Sequence, residues 1–215
     1  MSVKCYPGGV EAMNKSCLLC GVGGQGVVLA SKLIAFAAME QGRSVRTTET
    51  IGMAQRGGSV VSHVRMGDAV HSPLIPMKSA DLLLAFEPAE AVRCLPYLKE
   101  GGTVIVSSKA VKPVTDTLSG SSYEGSKMLD YLKKKVVNLA IFDGEEICRQ
   151  AGSAKVLNVA LLGAAAASGV LDISIEEMEQ AVKGNVKERF LELNKKALAL
   201  GMEAFEKAGE NRDRK

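Results

Sequence analysis

The residues with the clearest capacity for chemistry form one glycine-rich run, Gly21-Val22-Gly23-Gly24-Gln25-Gly26, followed by Val27. The run fits G-x-G-x-x-G between a short apolar stretch closing at Cys20 and a helical pattern, the strand-to-helix setting in which this spacing cradles phosphate. Glycine permits positive φ and a close backbone approach. The unpaired amides of a first helical turn, together with the helix dipole, attract an anion. Lys32, further along the same helical pattern, adds a mobile positive charge. A tight turn that binds nothing has the same spacing, so the loop by itself leaves both readings open.

Glu49 lies about twenty residues beyond the loop, where a dinucleotide fold places the acid that holds a ribose. Taken alone, this pair supports a stand-alone Rossmann-like nucleotide-binding dehydrogenase. The text that follows points elsewhere, because Thr50 to Gly58 is glycine-rich and leads straight into the apolar run Val60 to Val64. Parallel neighbours need a connection of roughly a dozen residues or more, and this link is shorter and glycine-broken. It predicts a mixed sheet that departs from the doubly wound order. The same link gathers Gln55, Arg56, Gly57 and Gly58, an amide and a guanidinium on a pliant backbone, which suits a binding loop. A wide turn with Arg56 facing solvent or paired with Glu49 is the alternative.

No catalytic residue stands out. His63 alternates within a strand pattern and His71 precedes Pro73 in a loop, so neither belongs to a nucleophile–base pair. Ser59 and Ser62 lack a nucleophile-elbow context. Cys17-Leu18-Leu19-Cys20 has C-x-x-C spacing, yet it falls inside a strand pattern and no second pair accompanies it, so core thiols are expected there and no metal site. Five cysteines in an apolar chain of this size read as reduced thiols, not as a disulfide framework.

The elements that must position these residues are legible as apolar runs. Ser16 to Cys20, Val45 to Thr48, Val60 to Val64, Leu82 to Phe86, Thr103 to Val106 and Val136 to Phe142 have strand length and are bounded by glycine or charge. Helical patterns lie between several of them, over Gly26 to Gln41, Pro88 to Leu98 and Gly125 to Lys134. Ser153 to Ser168, a segment begun at Ser174 with the capping-box partner Glu177, and Val186 to Lys207 make the last third helical. The expected fold is therefore α/β: three layers, α/β/α, with a mixed, mostly parallel sheet and a helical C-terminal third.

With 215 residues, 47% of them hydrophobic, the chain is long enough to bury one sizeable core. Residues 1–14 are expected to be a mobile N-terminal extension, 15–208 a single domain and 209–215 a frayed, charged tail. The formal charge of +3 is too small and too scattered to indicate nucleic acid. Val159 to Leu171, the longest apolar stretch, falls short of a membrane span. The start of the chain shows no apolar core of a secretion signal, so a cytoplasmic setting is expected.

Two stretches carry a resemblance. GVGGQGVVLASK at 21–32 together with ETIGMAQRGGSVVSHVR at 49–65 resembles the beta subunits of indolepyruvate:ferredoxin oxidoreductases and the gamma domains of other 2-oxoacid:ferredoxin oxidoreductases. Asp81 to Ala91, Lys155 to Gly163, and Asn194 with Ala197 and Gly201 extend it over most of residues 15–205. The resemblance implies a gamma-type domain, a hetero-oligomer with a larger subunit, and electron delivery to ferredoxin through that complex. It implies that thiamine diphosphate and iron–sulfur clusters sit in the partner, and that this chain alone binds neither. Coenzyme A is the implied co-substrate. Gly23 to Val27 with Lys32 would hold its phosphates, Gln55, Arg56, Gly57 and Gly58 would complete the loop surface beside the partner's thiamine site, and Gly21 and Glu49 count with them as cofactor-binding residues. The implied reaction oxidatively decarboxylates an aryl 2-oxoacid to its acyl-CoA, and the isolated chain is expected to be inactive.

Overall fold

The computed structural model describes residues 14–52, 57–68, 70–112 and 123–213, the side chains of 210–213 excepted. In chain order the elements are β1 (Lys15–Val22), α1 (Val27–Glu40), β2 (Ser44–Ile51), β3 (Ser59–Gly67), β4 (Ala80–Ala85), α2 (Pro88–Cys94), β5 (Leu98–Ser107) and α3 (Gly125–Lys135). They continue with β6 (Asn138–Phe142), α4 (Gly144–Ala151), α5 (Leu157–Ala167), α6 (Ile175–Asn185) and α7 (Leu191–Asp213).

The six strands form one sheet in the order β2-β3-β1-β4-β5-β6. β1, β4, β5 and β6 run parallel, while β3 is antiparallel to both β1 and β2. The sheet is mixed and mostly parallel, as the short link after Glu49 requires: a connection with no room for a crossover helix can only reverse the chain.

Alternation along each strand divides the core. Cys17, Leu19, Leu82, Leu84 and Ile105 face one side and pack with α1 and the C-terminal helices. Leu18, Cys20, Leu83, Ala85, Val104 and Val106 face the other side, under α2 and α3. β4 is buried along its whole length and β1 along all but its first residue, which is why both read as unbroken apolar runs instead of alternating ones.

α5 is apolar on every side and is accordingly central. It lies against α7 with backbones nearly touching: a Cβ on Gly163 would sit 2.1 Å from the Leu198 carbonyl oxygen, and one on Gly201 would sit 1.8 Å from that of Ala160. α6 carries the expected capping box, Ser174 accepting from Glu177 N and Glu177 from Ser174 N.

Several elements differ from expectation, among them the last helix, which starts at Leu191 after a 3-10 turn instead of at Val186. The helix begun at Pro88 ends at Cys94, since Pro96 falls in a following 3-10 turn and β5 starts already at Leu98. α4 appears where no helix was expected; it is short, and Asp143 caps it by accepting from Glu145 N and Glu146 N at 3.0 and 3.1 Å. α7 continues to Asp213, into the charge run expected to fray.

Candidate functional site

The glycine loop leaves the C-terminal end of β1, and the ends of the parallel strands β4 and β5 lie beside it. This is the edge at which open α/β sheets bind ligands. The loop is fixed from inside by Gln25. Its Oε1 accepts from Val22 N at 2.8 Å, and its Nε2 donates to the carbonyl of Phe86 at 3.0 Å. Phe86 N in turn donates to the carbonyl of Cys20. Gln25 therefore holds the turn to β4 through its side chain.

Gly26 caps α1 at φ 82°, a left-handed conformation that disfavours any side chain, and no side chain caps the helix. Ala30 N donates to Gly26 O, so the amides of Val27, Val28 and Leu29 precede the first intrahelical bond and face outward from the helix end. The Val27 side chain is buried in the core below.

The second glycine stretch joins the first. Gly23 N donates to the carbonyl of Gly58 at 2.8 Å, with Gly57 adjacent, so the loops meet as one surface. Ser59 fixes this junction by donating to Glu90 at 2.7 Å. Glu90 also accepts from Arg93, and its amide donates to the buried carboxylate of Glu87, which Tyr123 and Val111 N also engage. Burial, and then the neighbouring Glu87, pushes the Tyr123 phenol well above its ordinary pKa. Gln55 and Arg56 lie outside the described residues.

Two residues named from the sequence stand away from the loop. Lys32 is exposed on α1, outside the cleft lining. Glu49 is exposed on β2 opposite Ser62 of β3, which pairs with Leu19 of β1. Two strand spacings, about 10 Å, thus separate it from β1.

A cleft of about 430 Å³ opens in front of the loop. Gly24 and Gly26 form one wall; Lys109, Lys155 and Asn158 face them. Lys109 pairs with Glu145 at 2.8 Å, whereas the Lys155 ammonium has no ion pair among the described residues. Asn158 is 4% exposed, and its side chain has no hydrogen-bond partner among the described residues. It abuts Gly26, where an added Cβ would come within 2.9 Å of its Nδ2. Its amide reaches the cleft beside the anion-attracting end of α1. Reading the sequence alone missed Lys109, Lys155 and Asn158 as site residues, because they lie far along the chain from the glycine loop.

The remaining candidates are structural. His63 is buried; its Nδ1 accepts from Ile75 N at 3.1 Å, its ring meets Tyr97 edge-on, and burial lowers its pKa. Cys17 and Cys20 point to opposite faces of the sheet and cannot ligate one metal together. Burial raises the pKa of both thiols.

Residues 16–204 match the family described as pyruvate ferredoxin/flavodoxin oxidoreductase. The indolepyruvate oxidoreductase subunit IorB of Archaeoglobus fulgidus is 39% identical over 190 residues, covering 88% of this chain and 94% of that one. The gamma subunit of the keto/oxoacid ferredoxin oxidoreductase of Geobacter sulfurreducens superposes with a TM-score of 0.67 at 30% identity, over 92% of this chain and 99% of its own. The 2-oxoglutarate:ferredoxin oxidoreductase of Magnetococcus marinus, solved with 2-oxoglutarate, coenzyme A and succinyl-CoA bound, shares the fold. Its TM-score is 0.58 at 18% identity, over 94% of this chain and 31% of its own. A family match that runs the length of both core layers and the cleft makes this chain a member of the pyruvate ferredoxin/flavodoxin oxidoreductase family.

Proposed function

We propose that the chain is the small subunit of an indolepyruvate:ferredoxin oxidoreductase, an enzyme that converts an aryl 2-oxoacid to its acyl-CoA with ferredoxin as acceptor. Its own task in this reading is to bind the phosphates of coenzyme A and to dock the larger subunit. The observation that carries the reading is the cleft: a glycine-opened helix end faced by Lys155 and by a buried, unpartnered Asn158. The name and near-complete coverage of the Archaeoglobus relative support the enzyme class.

A larger subunit would supply thiamine diphosphate, an electron sink for decarboxylation, and iron–sulfur clusters to carry electrons away. This chain's residues act on the co-substrate. The outward amides of α1 donate to a phosphate, Lys155 neutralises it, and Asn158 donates through Nδ2 from beside Gly26. Gln25 keeps the loop in one conformation before the ligand arrives, which lowers the ordering cost of binding. The joined surface of Gly23, Gly57 and Gly58 faces the partner in this reading.

A stand-alone dehydrogenase is disfavoured because β3 separates Glu49 from the strand that carries the loop. The test is co-purification of this chain with its larger partner, followed by viologen reduction with indolepyruvate and CoA. The pair should reduce the dye at least tenfold faster than the larger chain alone; equal rates would remove the proposal.

A further inference from the structure

Two walls of the cleft are tied to one place outside it, the first turn of α2. Gln25 Nε2 fixes the glycine loop to the carbonyl of Phe86, just ahead of that helix's N-cap. Gly23 N rests on the Gly58 carbonyl, and the next residue, Ser59, donates to Glu90 Oε2 at 2.7 Å. Val111, which lines the cleft beyond the end of β5, donates its N–H to Glu87 Oε1 at 3.4 Å.

Glu87 is an expensive helix cap. A short side chain such as Ser, Asp or Asn satisfies a first turn, and here that duty is the single bond from Glu90 N to Glu87 Oε2 at 3.0 Å. Glu87 is 1% exposed and has no cation partner among the described residues, so neutral donors alone meet its charge. Its longer arm carries the second oxygen to Val111 N and to the Tyr123 hydroxyl. Glu90 is buried as well, and it gives one oxygen to Arg93 and the other to Ser59.

Resting on the reading of the cleft as a coenzyme A phosphate site, we infer that Glu87 and Glu90 are positioning residues for it. They touch no ligand; from behind, they set how far the glycine loop stands from the Val111 wall. Walls anchored to a common turn meet a phosphate already shaped, which lowers the ordering cost of binding. A cap serving α2 alone would not need to reach a residue that lines the cleft, and that reach is the observation behind the assignment.

The test uses the assembled oxidoreductase and measures binding of CoA and of inorganic pyrophosphate by calorimetry, with the rate at saturating CoA alongside. Ser59→Ala releases Glu90 from the second loop. Glu87→Gln turns an NH2 toward Val111 N or Glu90 N, both of them donors. Each variant should weaken both ligands about fivefold, the worth of roughly one hydrogen bond, and leave the rate at saturating CoA as in the parent. Ser59→Thr keeps the hydroxyl and should restore parental affinity. Should one of the two variants fail to fold, the other decides. Parental affinity in either folded variant, beside a weakened Lys155→Ala enzyme, overturns the inference, and so does a Ser59→Thr enzyme as weak as Ser59→Ala. If Lys155→Ala binds both ligands as the parent does, it is the phosphate reading that fails, and this inference falls with it.

Discussion

Gly26→Ala is the sharpest perturbation of the loop, since the structure assigns it two separate costs. The first is backbone: a side chain at φ 82° costs about 1 kcal/mol. The second is contact, because the new Cβ would lie 2.9 Å from Asn158 Nδ2 and 3.0 Å from its Cγ. Asn158 is nearly buried at the start of α5 and has little room to yield, so overpacking adds about 1–3 kcal/mol. The sum, about 2–4 kcal/mol, corresponds to a fall in Tm of roughly 10 °C for a chain of this size. Gly24→Ala is the control. Its φ of 97° carries the same backbone cost, but nothing lies within 4 Å of its Cβ, so a fall of only a few degrees is expected. Scanning calorimetry of both variants, and of Gly26→Ala combined with Asn158→Ala, separates the two costs. The second substitution should return at least about 1 kcal/mol to Gly26→Ala. Equal losses for the two glycine variants, or strict additivity in the double variant, would refute the packing of Asn158 against the loop.

Gly201→Ala should destabilise by about 3 kcal/mol or more, because its Cβ meets the Ala160 carbonyl across the α5–α7 contact, whereas Gly184→Ala, with open space around it, should stabilise by about 0.5–1 kcal/mol; urea midpoints check both. His63 should make stability depend on pH. Burial lowers its folded pKa below the ordinary 6.5, so the unfolded chain binds more protons, and its contribution is complete above 6.5 and lost as pH falls through the folded value. His63→Asn, which keeps an acceptor for Ile75 N, should flatten the fall in urea midpoint below about pH 6.5; parallel profiles would contradict this.

Much of the sheet was legible in the sequence because its central strands are buried on both faces, which leaves apolar runs that need no partner to be recognised. The reversal between β2 and β3 followed from a link too short and too rich in glycine to cross over. The glycine loop was legible for a similar reason, since its spacing is local. Its surroundings were not. Gln25 had the look of a ligand-facing amide, yet it turns inward to the carbonyl of Phe86 just past β4, sixty-one residues away in sequence, a role set by tertiary contact alone. Lys32 carried the right charge at the right spacing but is exposed outside the lining of the cleft. A cleft-lining charge comes from Lys155 in the 3-10 turn before α5, and an unpaired amide from Asn158 in the first turn of α5, both more than a hundred residues beyond the loop. A two-turn helix such as α4 gives too short a periodic signal to separate from loop.

The coenzyme A dependence of a Lys155→Glu enzyme, assembled with its larger subunit, goes most directly to what the cleft is for. Removing one charge-assisted contact to a phosphate and reversing its sign should raise the half-saturating CoA concentration by more than about tenfold. The half-saturating 2-oxoacid concentration and the rate at saturating CoA should stay as in the parent enzyme. An unchanged CoA dependence, with the complex intact, would contradict the assignment of the cleft.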